Sequence, residues 1–386
     1  MKFASRMGRL GTETAFEVLA RARELESQGR HIIHLEIGEP DFDTPAHIVE
    51  AGVQALKEGY THYGPSSGLP EVRQVIIDEV NRSRGLNLGP HHVVVTPGAK
   101  PILFFTALAA IETGDEVIYP DPGFPIYESV ISFVGGKAVP IPLRESNDFQ
   151  IDIDELRRII TSKTRMIIIN SPGNPTGGVL SHEQLREIAE LAVKHDLWVL
   201  SDEIYGRIVY DDKHESITQF EGLIDRTIIL DGLSKAYAMT GWRLGYGVMP
   251  NDLAFLVSRL MTNSNSCTAS FSQRAIIAAL QGTQEPTEKM VAEFRSRRDM
   301  LVAELNTLPG FSCRSPRGAF YAFPNITKTG KKSRDLAERL LEDAGVAVLS
   351  GTAFGEHGEG FLRLSYANSP ENLREGVRRI RDYISR

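Results

Sequence analysis

Between residues 93 and 248 the chain repeats one pattern: a short apolar run, then a stretch with apolar residues at helical spacing. "HHVVVT" leads into a helical stretch from Ala99 to about Glu112, and "DEVIYP" into one through Tyr127 to Phe133. "TRMIIIN" leads into a helix that Ser181 caps with Gln184 three residues on, the spacing of a capping box. "LWVLSDE", "RTIILDG" and "RLGYGVM" continue the series. Runs such as "MIII" and "TIIL" do not alternate in polarity, which suits strands covered on both faces. Strands alternating with helices predict an α/β fold with a mostly parallel sheet flanked by helices. After about residue 280 the pattern changes. Long polar helices over 287–306 and 332–344 alternate with isolated strands near "GAFYAF", "GVAVL" and "GFLRLSY", which reads as a smaller α+β domain. The division expected is 1–45 for an N-terminal arm with part of the small domain, 46–282 for the large domain and 283–386 for the small C-terminal domain.

Composition narrows the function. The 386 residues carry a formal charge of −7, whereas a nucleic-acid surface needs a basic excess. Cys267 and Cys313 are the only two cysteines and lack metal spacing, so neither a disulfide scaffold nor structural zinc is expected, and a reducing compartment fits. The N-terminus has no signal-type apolar run, and "ILFFTALAAI" is too short to span a bilayer. The reading is a cytoplasmic protein that binds neither membrane nor nucleic acid.

Ligands of open α/β sheets bind outside the carboxyl ends of the strands. Special residues recur there: Gly98, Ala99 and Lys100 after "VVVTP", Asn174 past "IIIN", Asp202 after "WVLS", and Ser234 and Lys235 after "IILDGL". A partly desolvated lysine becomes a nucleophilic amine able to attach to a carbonyl carbon. A carboxylate beside a pyridine nitrogen keeps that nitrogen protonated. A glycine turn at a helix start gathers free N–H groups against a phosphate, and an arginine such as Arg243 adds a bidentate clamp. Taken alone, Lys235 is a solvated lysine, Asp202 a turn cap and "NPTG" plain turn chemistry. Together they describe a pyridoxal phosphate site.

The chain resembles the class I/II aminotransferases of the fold-type I pyridoxal-phosphate superfamily, through "GEPDFDTP", "YGPSSGLPEVR", "NSPGNPTG", "SDEIY", "SKAYAMTGWRLGY" and "FLRLSYA" in that order. The resemblance implies a large domain with a seven-stranded type of sheet, and Lys235 as the lysine that holds the cofactor and moves the proton. It implies Asp202 on the pyridine nitrogen, Asn174 and Tyr205 on the phenolic oxygen, and Phe124 stacked on the ring. Gly98, Ala99, Lys100, Ser234 and Arg243 surround the phosphate by the same resemblance. Arg363 grips the substrate α-carboxylate, helped by Asn174 and the Gly38 backbone. Tyr63 reaches the neighbouring subunit's phosphate, which implies a homodimer. Gly232 departs from the pattern, standing where many relatives carry a phosphate-binding serine.

The activity expected is ping-pong transamination between an L-amino acid and a 2-oxo acid such as 2-oxoglutarate. Lys100 matches a lysine that reads the distal carboxylate in relatives acting on acidic substrates; Glu13 near the same pocket opposes such a substrate, and Phe16 favours apolar ones. An aspartate-type or broad-specificity enzyme is the reading, with aromatic or branched-chain specificity as an alternative. A C–S β-lyase or a cyclopropane-forming synthase of the same fold is another; pyruvate and ammonia released without an acceptor would mark elimination. A cofactor-binding transcription regulator needs an added DNA-binding domain, for which the segment before "GEPDFDTP" leaves no room. A nucleotide-binding fold lacks its G-x-G-x-x-G or P-loop here.

Overall fold

The computed structural model describes residues 2–211 and 213–385. Its strands in chain order are β1 (Ile33–His34), β2 (Val93–Thr96), β3 (Glu116–Asp121), β4 (Lys137–Pro142), β5 (Thr164–Asn170) and β6 (Trp198–Asp202), then β7 (Thr227–Gly232), β8 (Gly245–Val248), β9 (Tyr321–Ala322), β10 (Val346–Ala347), β11 (Leu349–Ser350) and β12 (Leu362–Ser365). Seven of them form one sheet in the order β2-β8-β7-β6-β5-β3-β4. Strands β4, β3, β5, β6 and β7 pair in parallel, and β8 alone runs against its neighbours. Ile167, Ile168, Val199, Leu200, Ile228 and Ile229 are buried and feed clusters on both faces. The unbroken apolar runs arise from this double cover.

The C-terminal part of the chain builds a second core around Phe294, Phe320, Leu340, Leu364 and Tyr366, which also takes in Ile33 and Leu35 of the N-terminal arm. The arm enters it by β1 pairing in parallel with β10. The helix Glu285–Leu305 and the antiparallel trio β11-β12-β9 complete it. Among the described residues no helix is long and apolar enough to cross a membrane, and no cluster of three or more His, Cys, Asp or Glu side chains has metal-binding geometry.

The arm is tied down by charge as well. Glu36 is fully buried, and His34 meets it through Nδ1 at 2.7 Å while Nε2 meets Glu26 at 3.1 Å. The hydrogen bond to Glu36, aided by Glu26, raises His34 from 6.5 to about 9. A raised histidine contributes stability that is fully present below its unfolded value and lost as pH climbs through its folded one. The melting temperature is therefore expected to fall as pH rises from about 6.5 through about 9, by the equivalent of about 1–2 kcal/mol after solvent screening. Calorimetry of His34→Gln checks this: that limb of the pH dependence should flatten.

Candidate active site

Parallel pairing places Asn170 beside Asp202 and Asp202 beside Leu230 at the carboxyl ends of β5, β6 and β7, and Lys235 follows on the turn after β7. Between these ends and the second core lies a cavity of about 550 Å³. Of the residues singled out from the sequence, Gly38, Ala99, Lys100, Phe124, Asn174, Asp202, Tyr205, Ser234, Lys235, Arg243 and Arg363 line it. Gly98 sits behind it, against Arg243. Tyr63 does not line it; that side chain is 91% exposed, on another face.

Lys235 Nζ donates to the Gly38 carbonyl at 2.5 Å. Burial lowers its affinity for a proton, to a pKa of about 8, with Glu39 opposing and Arg363 assisting. Gly38 is required there because a Cβ would lie 2.1 Å from the Tyr321 hydroxyl. Asp202 accepts from Tyr127 Oη at 2.6 Å and from the Ile204 amide at 3.2 Å. Burial nonetheless lifts its carboxyl to about 6, the condition of an acid that lacks a cationic partner inside a cavity.

At the other end the helix Lys100–Ala110 begins without a side-chain cap; the Ile102 amide bonds the Ala99 carbonyl, and the Ala99 and Lys100 amides at the helix start face no intrahelical acceptor. Gly98 holds a positive φ of +87°, and a Cβ there would fall 2.2 Å from Arg243 Nη2. Arg243, itself at φ +54°, donates through Nη1 to the Thr240 carbonyl at 2.9 Å. This is a cradle for an anion. The Lys100 ammonium is paired with Glu13 and stands 5.4 Å above the Phe124 ring, so toward the cradle Lys100 offers its backbone. Gly232 backs onto Gly245 Cα and the Leu244 carbonyl, each 3.0 Å from where a Cβ would stand; a serine there would need that backbone to give way.

Arg363, on β12, donates to Asn174 Oδ1 at 3.1 Å and to the Glu36 carbonyl. The Tyr321 and Phe354 rings lie 4.4 and 4.8 Å from its guanidinium carbon. Its Nε is buried without a partner, and no carboxylate among the described residues lies within ion-pair distance of it.

Sequence reasoning missed Tyr127 as the donor to Asp202 and Tyr321, whose hydroxyl lies 2.7 Å from that of Tyr205. Tyr127 carried a weak signal, standing three residues after Phe124 at the start of the helix Ile126–Val134.

The model of the family "Aminotransferase class I and II" matches residues 30–380. The aspartate aminotransferase of Pyrococcus abyssi is 42% identical over 91% of each chain, and the aromatic-amino-acid aminotransferase 2 of Thermococcus litoralis 40% identical over 90% of each. A structure of the aspartate aminotransferase from Thermus thermophilus with maleate superposes with a TM-score of 0.95 at 37% identity, covering 99% of both chains. The fold and site define an enzyme of the fold-type I pyridoxal phosphate class. The chain belongs to the class I and II aminotransferases, and its activity is amino-group transfer. The residues present fit the cofactor: a buried acid short of a cation, an anion cradle without side chains in its way, and a desolvated lysine between them.

Proposed function

We propose that the cavity acts on acidic L-amino acids, aspartate and glutamate, with a 2-oxo acid such as 2-oxoglutarate as acceptor. Pyridoxal phosphate, when bound, supplies an electrophilic carbonyl carbon and a ring that accepts the electron pair released at the substrate Cα. Lys235 would hold the cofactor and, once displaced by substrate, take the proton from Cα and deliver it to the carbon on the cofactor side of the nitrogen. Its lowered pKa suits that exchange near neutrality. Asp202, held by Tyr127, keeps the proton on the ring nitrogen. Asn174 and Tyr205 hydrogen-bond the phenolic oxygen, and Phe124 covers a ring face. Gly98, Ala99, the Lys100 backbone, Ser234 and Arg243 bind the phosphate. Arg363 binds the substrate α-carboxylate beside Asn174 and Gly38.

The observation that carries the substrate class is the Lys100 ammonium over Phe124 at the cavity wall, paired only with Glu13. A distal carboxylate competes with Glu13 for that cation. A neutral substrate leaves the pair closed, and Phe16, 59% exposed, then offers an apolar wall; this favours broad specificity as the second reading. The names of the relatives above span both classes. Rapid-mixing half-reactions with the twenty amino acids, followed by cofactor absorption, test the choice. Lys100→Ser should cut kcat/KM for aspartate and glutamate by about 10- to 100-fold, the worth of one charge-assisted contact, and spare phenylalanine. Aromatic donors reacting fastest, with Lys100→Ser neutral for all, would overturn the assignment.

The bare Tyr63 ring supports a homodimer in which it reaches the partner's phosphate. Two free thiols, Cys267 and Cys313, support a cytoplasmic location.

A further inference from the structure

Behind the cofactor-facing side of the sheet lies a sealed cluster of charges that the reaction above does not use. Arg84 ends the helix Pro70–Arg84, is followed by Gly85 in the left-handed conformation, and is only 9% exposed. Its Nε and Nη2 donate to Glu203 Oε2 at 2.9 and 2.6 Å, and Nη2 lies 3.6 Å from Asp231 Oδ2. Glu203 immediately follows Asp202; Asp231 lies on β7, four residues before Lys235. One guanidinium thus bridges the two strand ends that carry the ring-nitrogen acid and the cofactor lysine.

The other groups facing these carboxylates do not replace it. Ser201 and Ser216 donate to Glu203 at 3.0 and 2.6 Å, and His214 Nε2 lies 3.0 Å away. Tyr246 and the Gly232 amide donate to Asp231 at 2.9 and 2.7 Å. Arg207 is engaged with Glu79 at 2.6 Å. Adjacent residues at a strand end point to opposite faces, so Asp202 turns to the cavity while Glu203 turns to Arg84. Both buried carboxylates act on Asp202 through low-dielectric protein, and each favours its protonation.

We propose that Arg84 is a positioning residue for transamination: by neutralising Glu203 and Asp231 it lets Asp202 remain ionised against the cofactor's ring nitrogen. The inference rests on the assignment of Asp202 under Proposed function. A structural brace alone would be indifferent to the sign of nearby charge; a counter-charge is not.

The holoenzyme is reconstituted with ¹⁵N-labelled pyridoxal phosphate, and cofactor affinity and the ring-nitrogen titration are measured by dialysis and NMR. Arg84→Met should weaken cofactor binding by about tenfold and move the ¹⁵N signal near neutral pH toward that of an unprotonated ring, because the uncompensated charge acts more strongly on Asp202, next to Glu203, than on the ring nitrogen and draws the shared proton to the carboxylate. Glu203→Gln alone should move that signal the other way, toward the fully protonated ring. Arg84→Met/Glu203→Gln should return both measures to within about threefold of wild type, a coupling double-mutant cycles resolve. A double variant as impaired as Arg84→Met, or one in which the losses add, overturns the proposal. Should Arg84→Met not fold, the double variant and Glu203→Gln decide it: wild-type affinity in a folded double variant supports the counter-charge, and a tenfold loss there removes it. Asp202→Asn is the control. If it leaves the ¹⁵N signal unchanged, the site assignment itself fails; if it moves the signal and Arg84→Met does not, only the present inference fails.

Discussion

Replacing Lys235 by alanine will lower kcat/KM for every amino acid by more than about 10⁴-fold, since it removes the group proposed as both covalent anchor and acid–base residue. The amine has no neighbour able to stand in for it. Glu13 is occupied by Lys100, Tyr205 is hydrogen-bonded to Tyr321 and held well above the ordinary phenol range by burial, and Arg363 is committed to the Asn174 amide and the Glu36 carbonyl. Intact-mass measurement after borohydride treatment gives a second readout. The wild-type chain should gain the mass of one cofactor and the variant should not, although the cradle and Asp202 still bind it non-covalently. An active Lys235→Ala enzyme would falsify the assignment. Mixing Lys235→Ala with Tyr63→Ala subunits should restore activity, because one of the two sites in a hybrid dimer then has both residues intact. Mixtures that stay inactive after subunit exchange would argue against shared sites.

The sequence makes the parts of the fold that burial dictates readable, and leaves out those that depend on distant partners. The covered strands β5, β6 and β7 announce themselves by apolar runs, as does the edge strand β2. Strand β4 does not: "KAVPIP" carries Pro140 and Pro142, which read as loop and are tolerated because β4 is at the edge of the sheet. The reversed direction of β8 also leaves no mark, since composition records burial and not strand polarity. At the site, Lys235, Asp202 and Asn174 are found by position at strand ends. Their supports are not, because Tyr127 acts across 75 residues and Tyr321 across 116. Arg84 misleads in a particular way. An arginine at a helix C-terminus followed by glycine reads as a solvated cation favoured by the helix dipole, and only the fold shows it buried between two acids.

Arg363→Met should raise KM by about 100-fold or more for every amino donor and every 2-oxo acid, with a smaller effect on kcat. The guanidinium is 4% exposed, and burial lowers its affinity for a proton, so its charge is retained at a cost that only an incoming anion offsets. Its neutral partners leave Nε unfilled, and the rings of Tyr321 and Phe354 fix its plane. A carboxylate entering this pocket completes a pair already oriented for it. Losing one partner of such a desolvated pair costs about 2–5 kcal/mol, which corresponds to a factor of about 30 to several thousand. Arg363→Lys should recover little, because a point charge on a flexible stem reproduces neither the fork nor the stacking. Every substrate of the enzyme carries an α-carboxylate, so the loss must be nearly uniform across side chains, measured as kcat and KM for aspartate, glutamate, alanine and phenylalanine. A deficit confined to aspartate and glutamate would place Arg363 at the distal carboxylate instead, and would leave the α-carboxylate to another cation of the cavity wall, such as Lys100 in exchange for Glu13.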